Sequence, residues 1–166
     1  MKITRFDIRL VSIPLPEVVR WSNVSEAANE LLTLRIETDD GVFGLAQKKI
    51  HPVWAGMTSR MVAQELNEVY GPMLRGLDPL RTEQIWAQID RVVGWSATKA
   101  LLDIALHDVA ARAAGLPMWK YLGGWNNEVE VFGFNSRFAL VHLLRKRRFD
   151  SCWNRLNQCT TCGALW

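Results

Sequence analysis

The feature that most constrains the fold of this chain is a change in its hydrophobic period after residue 46. Before that point apolar and polar residues alternate, as in residues 5–10 and 32–37, which is the period of a β-strand with one solvent-facing side. From about residue 58 the apolar residues recur every three or four positions, as in an amphipathic helix. The chain is therefore expected to form a sheet first and to cover its apolar face with helices.

The sheet is predicted to be a three-stranded antiparallel meander. Its first strand covers residues 5–10 and is expected to end at the prolines within residues 13–16, because proline cannot donate to a ladder. The other two strands cover residues 32–37 and 42–46, and the Asp-Asp-Gly turn between them favours a hairpin. Residues 17–30 and 47–56 show no clear period and are predicted to be loops.

Three main helices are predicted after the sheet. They run from about residue 58 to Gly71-Pro72, from Pro79 or Thr82 onward, and from about residue 96 to 114. The third carries one apolar stripe, formed by Leu102, Leu106, Val109 and Ala113. A short helix at 117–122 then leads through two glycines to a valine-rich strand at 128–133. The predicted fold class is α+β, a three-stranded antiparallel β-meander followed by a helical bundle.

Two stretches in this order resemble a known family. They are "TDDGVFG" at 38–44 and "ALLDIALHDVAARAAGLPMWKYLGG" at 100–124. Together they resemble the N-terminal capping domain of the mandelate racemase / muconate lactonizing branch of the enolase superfamily. Residues 1–127 would form the capping domain, and residues 128–133 would start the first strand of a barrel. The third strand departs from the family in ending with "GLAQ" at 44–47 in place of a Gly-x-Gly-Glu-like sequence, which leaves the subgroup open.

The resemblance implies a two-part enzyme, in which the cap is followed by a modified TIM barrel. In that family the barrel carries the general base and three acidic Mg²⁺ ligands, and the metal stabilises an enediolate formed by removing a proton next to a carboxylate. The resemblance therefore implies Mg²⁺, a carboxylate or sugar-acid substrate and self-association, all in the full-length enzyme only. The reaction would be that of a racemase, a cycloisomerase or a sugar-acid dehydratase.

The resemblance also implies that two loops of the cap, residues 17–30 and 47–56, close over the substrate. The candidate substrate-capping residues are Arg20 and Trp21 in the first, and Lys48 and His51, with Lys49 beside them, in the second. Positive side chains would suit an acidic substrate. The alternative is that Arg20 and the lysines are ordinary surface residues and that Trp21 packs on the sheet.

Other pairs with ligand-like spacing are expected to have structural roles. Asp103 and His107 stand four residues apart on the third helix, which can chelate a metal, but a solvated ion pair is the simpler interpretation. Three cysteines and a histidine in the tail could form a zinc site, although their spacing is irregular and accidental thiols are favoured; they are His142, Cys152, Cys159 and Cys162. We expect no catalytic and no metal-ligating residue in this chain.

The segment after residue 133 does not continue the pattern of a barrel. From residue 128 onward 39 residues remain, whereas a TIM barrel takes about 250 and one βα unit about 30. Residues 134–166 hold six Lys and Arg and a single Asp, whereas residues 1–133 hold 14 Lys and Arg against 16 Asp and Glu. This basic, cysteine-containing tail is interpreted as frameshifted or disordered, and the chain alone is expected to be catalytically inactive.

A non-catalytic alternative rests on the same tail. The cap would be an interaction module, and the basic cluster "LLRKRR" at 143–148 would bind polyanions non-specifically. No nucleic-acid-binding fold surrounds the cluster, so a specific nucleic-acid partner is not expected. No apolar run of about 18 residues and no apolar leader are present, so we expect no membrane association and a cytoplasmic location.

Overall fold

The computed structural model describes residues 1–21, 24–94, 96–125, 128, 131–133 and 142–144. The chain divides into two compact units, Met1–Tyr121 and Leu122–Trp166. The first unit contains a sheet followed by helices, which confirms the predicted α+β class.

Three antiparallel strands form the sheet in sequence order, β1 (Ile3–Trp21), β2 (Val24–Thr38) and β3 (Phe43–Lys49). The predicted hairpin between β2 and β3 is confirmed, and Gly41 in its turn adopts a φ of 83°. The side chain of Thr38 closes the turn, since its hydroxyl donates to the carboxylate of Asp40 at 2.6 Å.

The predicted end of β1 at the prolines is wrong, and the described residues of the predicted loop at 17–30, which are 17–21 and 24–30, belong to strands. After a register shift between Pro14 and Val19, β1 pairs with β2 again, from Val19 opposite Glu26 to Trp21 opposite Val24. The prolines are tolerated because β1 is an edge strand, and the bulge absorbs the missing donors. The sheet therefore extends as a long hairpin through the segment that sequence patterning left without structure.

The apolar face of the sheet is the face predicted from the alternation. Leu32, Leu34 and Ile36 on the central strand are fully buried. On the edge strand β1 the same face becomes more exposed with distance, from the partly buried Phe6 to Leu10, which is 50% exposed. The helices therefore cover the end of the sheet that holds the β2–β3 turn. They leave the apolar face of β1 exposed toward the opposite end.

Six α-helices are described in the first unit. Their bounds are α1 Pro52–Ala55, α2 Ser59–Glu65, α3 Gly71–Leu74, α4 Thr82–Ile89, α5 Ser96–Ala113 and α6 Met118–Tyr121. The second predicted loop, residues 47–56, is thus also wrong, because its first residues complete β3 and Pro52–Ala55 form α1.

The predicted stop at Gly71-Pro72 is also wrong. A π-helical turn at Leu66–Tyr70 joins α2 to α3, and the proline occupies the first turn of α3, where a missing N–H costs little. The wider turn changes which residues face inward. Leu66 and Tyr70 are buried, whereas Met61 and Val69 are exposed. Burial raises the pKa of the Tyr70 phenol to about 12.

Helix α5 holds strand β3 in place. Its predicted stripe is buried at Leu102, Leu106 and Val109, while Ala113 is exposed because the helix has passed the sheet by its last turn. The carboxylate of Asp108 accepts from the backbone N–H of Leu45 at 2.8 Å and from Nε of Arg112 at 2.9 Å. A side chain of the helix thus satisfies a donor on the free edge of β3.

In the second unit, β4 (Val131–Gly133) pairs antiparallel with β5 (His142–Leu144). The described part of the predicted valine-rich strand, Val131–Gly133, thus has a neighbouring strand. The other residues of the 134–166 tail, with all three cysteines and Arg145–Arg148, lie outside the described residues. The zinc and polyanion-binding interpretations remain predictions.

Candidate functional site

The two predicted substrate-capping stretches lie at the same end of the sheet. We call residues 17–30 the first capping segment and residues 47–56 the second. The first is the far end of the β1–β2 hairpin, and the second begins where β3 ends, with Lys49 opposite Leu31 of β2. Antiparallel pairing therefore brings together two segments that are separated in sequence.

Arg20 is exposed on β1 and lies opposite Ser25 of β2. It makes no ion pair with another described residue. The backbone of Trp21 pairs with Val24, and the side chain of Trp21 lies outside the described residues. The structure thus leaves the guanidinium of Arg20 available to a ligand, and the predicted lid role of Trp21 stays a prediction.

The two neighbouring lysines of β3 have different environments. Lys49 is committed to the protein, since its ammonium donates to Glu26 Oε2 at 2.6 Å and to Asn29 Oδ1 at 2.9 Å. Lys48 occupies the alternate position, opposite Leu32, and is half-buried without an ion pair to another described residue. Of the two, Lys48 is the one whose charge is available to a ligand.

Glu26 is the residue of this site that the sequence analysis missed. Its side chain is only 8% exposed, and its second oxygen, Oε1, lies 3.7 Å from Nε2 of His51. The alternation of β2 gives no signal for it, because counting back in twos from the buried Leu32 passes the exposed Glu30 before it reaches the buried Glu26. A carboxylate at such a position requires a cationic partner.

His51 caps a helix in addition to lying beside Glu26. Its Nδ1 accepts from the backbone N–H of Val53 at 3.3 Å and so caps the start of α1. An accepting Nδ1 puts the ring proton on Nε2, the atom that faces Glu26. Trp54 lies beside the imidazole, with ring centroids 4.9 Å apart. His51 is therefore held in one orientation by contacts on several sides.

The Asp103–His107 pair is a local contact on α5. Nδ1 of His107 lies 2.9 Å from the backbone oxygen of Asp103 and 3.3 Å from its Oδ1. Within the described part of the chain no three His, Cys, Asp or Glu side chains converge as a metal site would require. The described residues thus do not fit a Mg²⁺ ion. At the capping end of the sheet Arg20 and Lys48 are cationic side chains that make no ion pair with another described residue. Also within the described residues, no helix is both long and apolar enough to cross a bilayer.

Most of this chain is similar to known proteins. Residues 6–123 match the family described as "Mandelate racemase / muconate lactonizing enzyme, N-terminal domain". A D-galactonate dehydratase family member of Marinomonas sp. is 36% identical over 125 residues, which cover 71% of this chain and 30% of the relative. A D-mannonate dehydratase of Novosphingobium aromaticivorans is 36% identical over 109 residues, covering 61% of this chain and 26% of the relative.

A solved structure shows the same fold. It is a dipeptide epimerase of Enterococcus faecalis, in complex with Mg and the dipeptide L-Leu-L-Tyr. The TM-score is 0.73 at 28% sequence identity, over 79% of this chain and 37% of the epimerase. The chain thus spans between about a quarter and two fifths of the length of these relatives.

Proposed function

The chain belongs to the mandelate racemase / muconate lactonizing enzyme family, whose N-terminal domain it matches over residues 6–123, and from this premise we propose that it is the capping domain of an enzyme acting on a carboxylate substrate. The observation that carries the proposal is the meeting of the two capping segments at one end of the sheet, with Arg20 and Lys48 unpaired among the described residues. Both side chains suit a substrate carboxylate.

The substrate class is supported by what the relatives act on. Two of them bear the names of sugar-acid dehydratases, and the epimerase structure holds a dipeptide, which also ends in a carboxylate. We propose a sugar acid, because the sequence identity to the dehydratases is higher, at 36% against 28%. The reaction would begin with removal of the proton next to the carboxylate.

Catalysis would require groups beyond those described in this chain. The family resemblance assigns the general base and the Mg²⁺ ligands to a barrel, where Mg²⁺ would stabilise the developing enediolate. The cap residues would bind the substrate carboxylate, orient it and exclude water when the segments close. We therefore propose that the 166-residue chain is inactive by itself.

A chimeric enzyme tests this proposal. Residues 1–127 of this chain would replace the matching domain of the Novosphingobium D-mannonate dehydratase, and dehydration of D-mannonate would be measured. We expect turnover, and we expect Lys48→Met to lower kcat/KM about tenfold or more, since a charge-assisted contact to the substrate is lost.

Lys2→Met is the matched control, because Lys2 is an exposed lysine at the opposite end of the sheet. It should leave kcat/KM within about twofold of the parent chimera. A chimera that is folded by circular dichroism but inactive would contradict the capping role, and equal effects of the two substitutions would contradict the role of Lys48.

A further inference from the structure

A single buried carboxylate joins the two capping segments. Glu26 belongs to the first, and both groups that its oxygens face belong to the second. Oε2 accepts from the Lys49 ammonium at 2.6 Å, and Oε1 lies 3.7 Å from His51 Nε2. Each oxygen thus faces a different residue of the second segment.

These contacts lie where the sheet no longer holds the segments together. The ladder between β2 and β3 ends at Leu31 opposite Lys49, and Glu26 lies five residues before Leu31 on β2. Beyond that pair, polar contacts still join the two segments. Lys49 contacts Glu26 and Asn29, and His51 lies near Glu26. The Glu26 junction therefore extends the connection past the last backbone pair.

Burial makes this junction stronger than a surface ion pair. The Glu26 side chain is 8% exposed and that of Lys49 is 27% exposed, so water screens their attraction poorly. Separating the segments would leave a buried carboxylate without its cation, which is strongly unfavourable. The pairing also withdraws the Lys49 charge from any ligand, which leaves Lys48 as the cation of β3 with its charge available.

We propose that Glu26 is a positioning residue that couples the two capping segments, so that loosening residues 48–56 also loosens residues 24–29, and the reverse. The coupling acts through Lys49 and through His51. Because His51 also caps α1, the contact with Glu26 is connected to the helix of the second segment. The word "capping" rests on the function proposed above, whereas the coupling is a property of the folded chain and can be measured without catalysis.

Amide hydrogen exchange of the whole 166-residue chain tests the coupling. Glu26→Gln keeps the shape of the side chain and removes its charge. We expect exchange in residues 48–56 to rise about tenfold or more, while exchange in α5 and in the centre of β2 stays unchanged. Glu30→Gln is the matched control, because Glu30 is an exposed glutamate on the same strand. It should leave amide exchange in both segments unchanged.

The reciprocal variants separate coupling from a general loss of stability. Lys49→Met should raise exchange in residues 24–29, on the opposite side of the junction, and Lys49→Arg should restore it. If Glu26→Gln yields too little folded protein, Lys49→Met and Lys49→Arg carry the test by themselves, because they break and restore the same ion pair from the other side. Equal effects of Glu26→Gln and Glu30→Gln, a rise spread evenly over α5, or a change confined to the substituted segment would overturn the proposal.

Discussion

Replacing Gly44 with alanine is expected to lower the free energy of unfolding by about 3 kcal/mol. A Cβ on Gly44 would lie 2.1 Å from the backbone oxygen of Ala105 and 2.7 Å from Cγ2 of Val109. Both atoms belong to α5, and a backbone oxygen within a helix cannot move aside independently of its helix. The whole of α5 must therefore shift away from β3. Urea denaturation followed by circular dichroism measures the loss.

Gly41→Ala is the matched control for this prediction. Gly41 lies in the turn just before β3 and has a φ of 83°, but a Cβ there would meet no atom within 4 Å. Its replacement should cost only the backbone strain, about 1 kcal/mol. If both substitutions lowered stability equally, the close approach of α5 to β3 would not be the cause.

Asp108→Ala is expected to destabilise the domain by about 2–3 kcal/mol. The substitution leaves the Leu45 N–H without its acceptor and the Arg112 guanidinium without its carboxylate. The Asp108 side chain is 15% exposed, so solvent replaces these contacts poorly. The same denaturation experiment measures the change.

Asp103→Ala on the same helix provides the comparison. Its carboxylate is 40% exposed and contacts only the neighbouring His107 among the ion pairs described. Its loss should change stability by no more than about 0.5 kcal/mol. An equal loss for Asp103→Ala and Asp108→Ala would show that the tie between helix and strand contributes little.

Hydrophobic periodicity was sufficient to predict the elements that bury one regular face. The centre of β2, the hairpin turn and the helix at Ser96–Ala113 were all identified, because each repeats its apolar residues at a fixed interval. The same signal fails at Ala113, because the last turn of the helix extends beyond the sheet that the helix covers. Period alone predicts which residues share a face, and the neighbouring elements decide how much of that face is buried.

The capping end of the sheet could not be predicted as well, for physical reasons. Proline-rich residues 13–16 and polar residues around Asn29 interrupt the alternation, so the long hairpin gave no apolar signal. Its two strands are held together by backbone pairing, and the Glu26–Lys49 ion pair joins β2 to β3. That ion pair joins residues 23 positions apart in sequence, and only the register of the sheet shows that they meet.

For the candidate residues, the location could be predicted from the sequence but the pairing could not. Arg20, Lys48 and His51 were identified from the resemblance, and the structure places all three at one end of the sheet. Lys49 is paired by a side chain 23 positions away, whereas its neighbour Lys48 has no ion pair with another described residue. Sequence spacing within a loop could not have distinguished the two lysines.

The measurement that tests the central claim most directly is the sequence of the encoding DNA from codon 128 onward, translated in all three frames over about 800 bases, the length that a barrel of about 250 residues requires. The claim is that this domain caps a barrel that carries the catalytic groups. The account predicts one frame that encodes valine-rich strands, a Lys-x-Lys motif, and Asp or Glu at the ends of successive strands. A verified read in which no frame encodes such a barrel would contradict it.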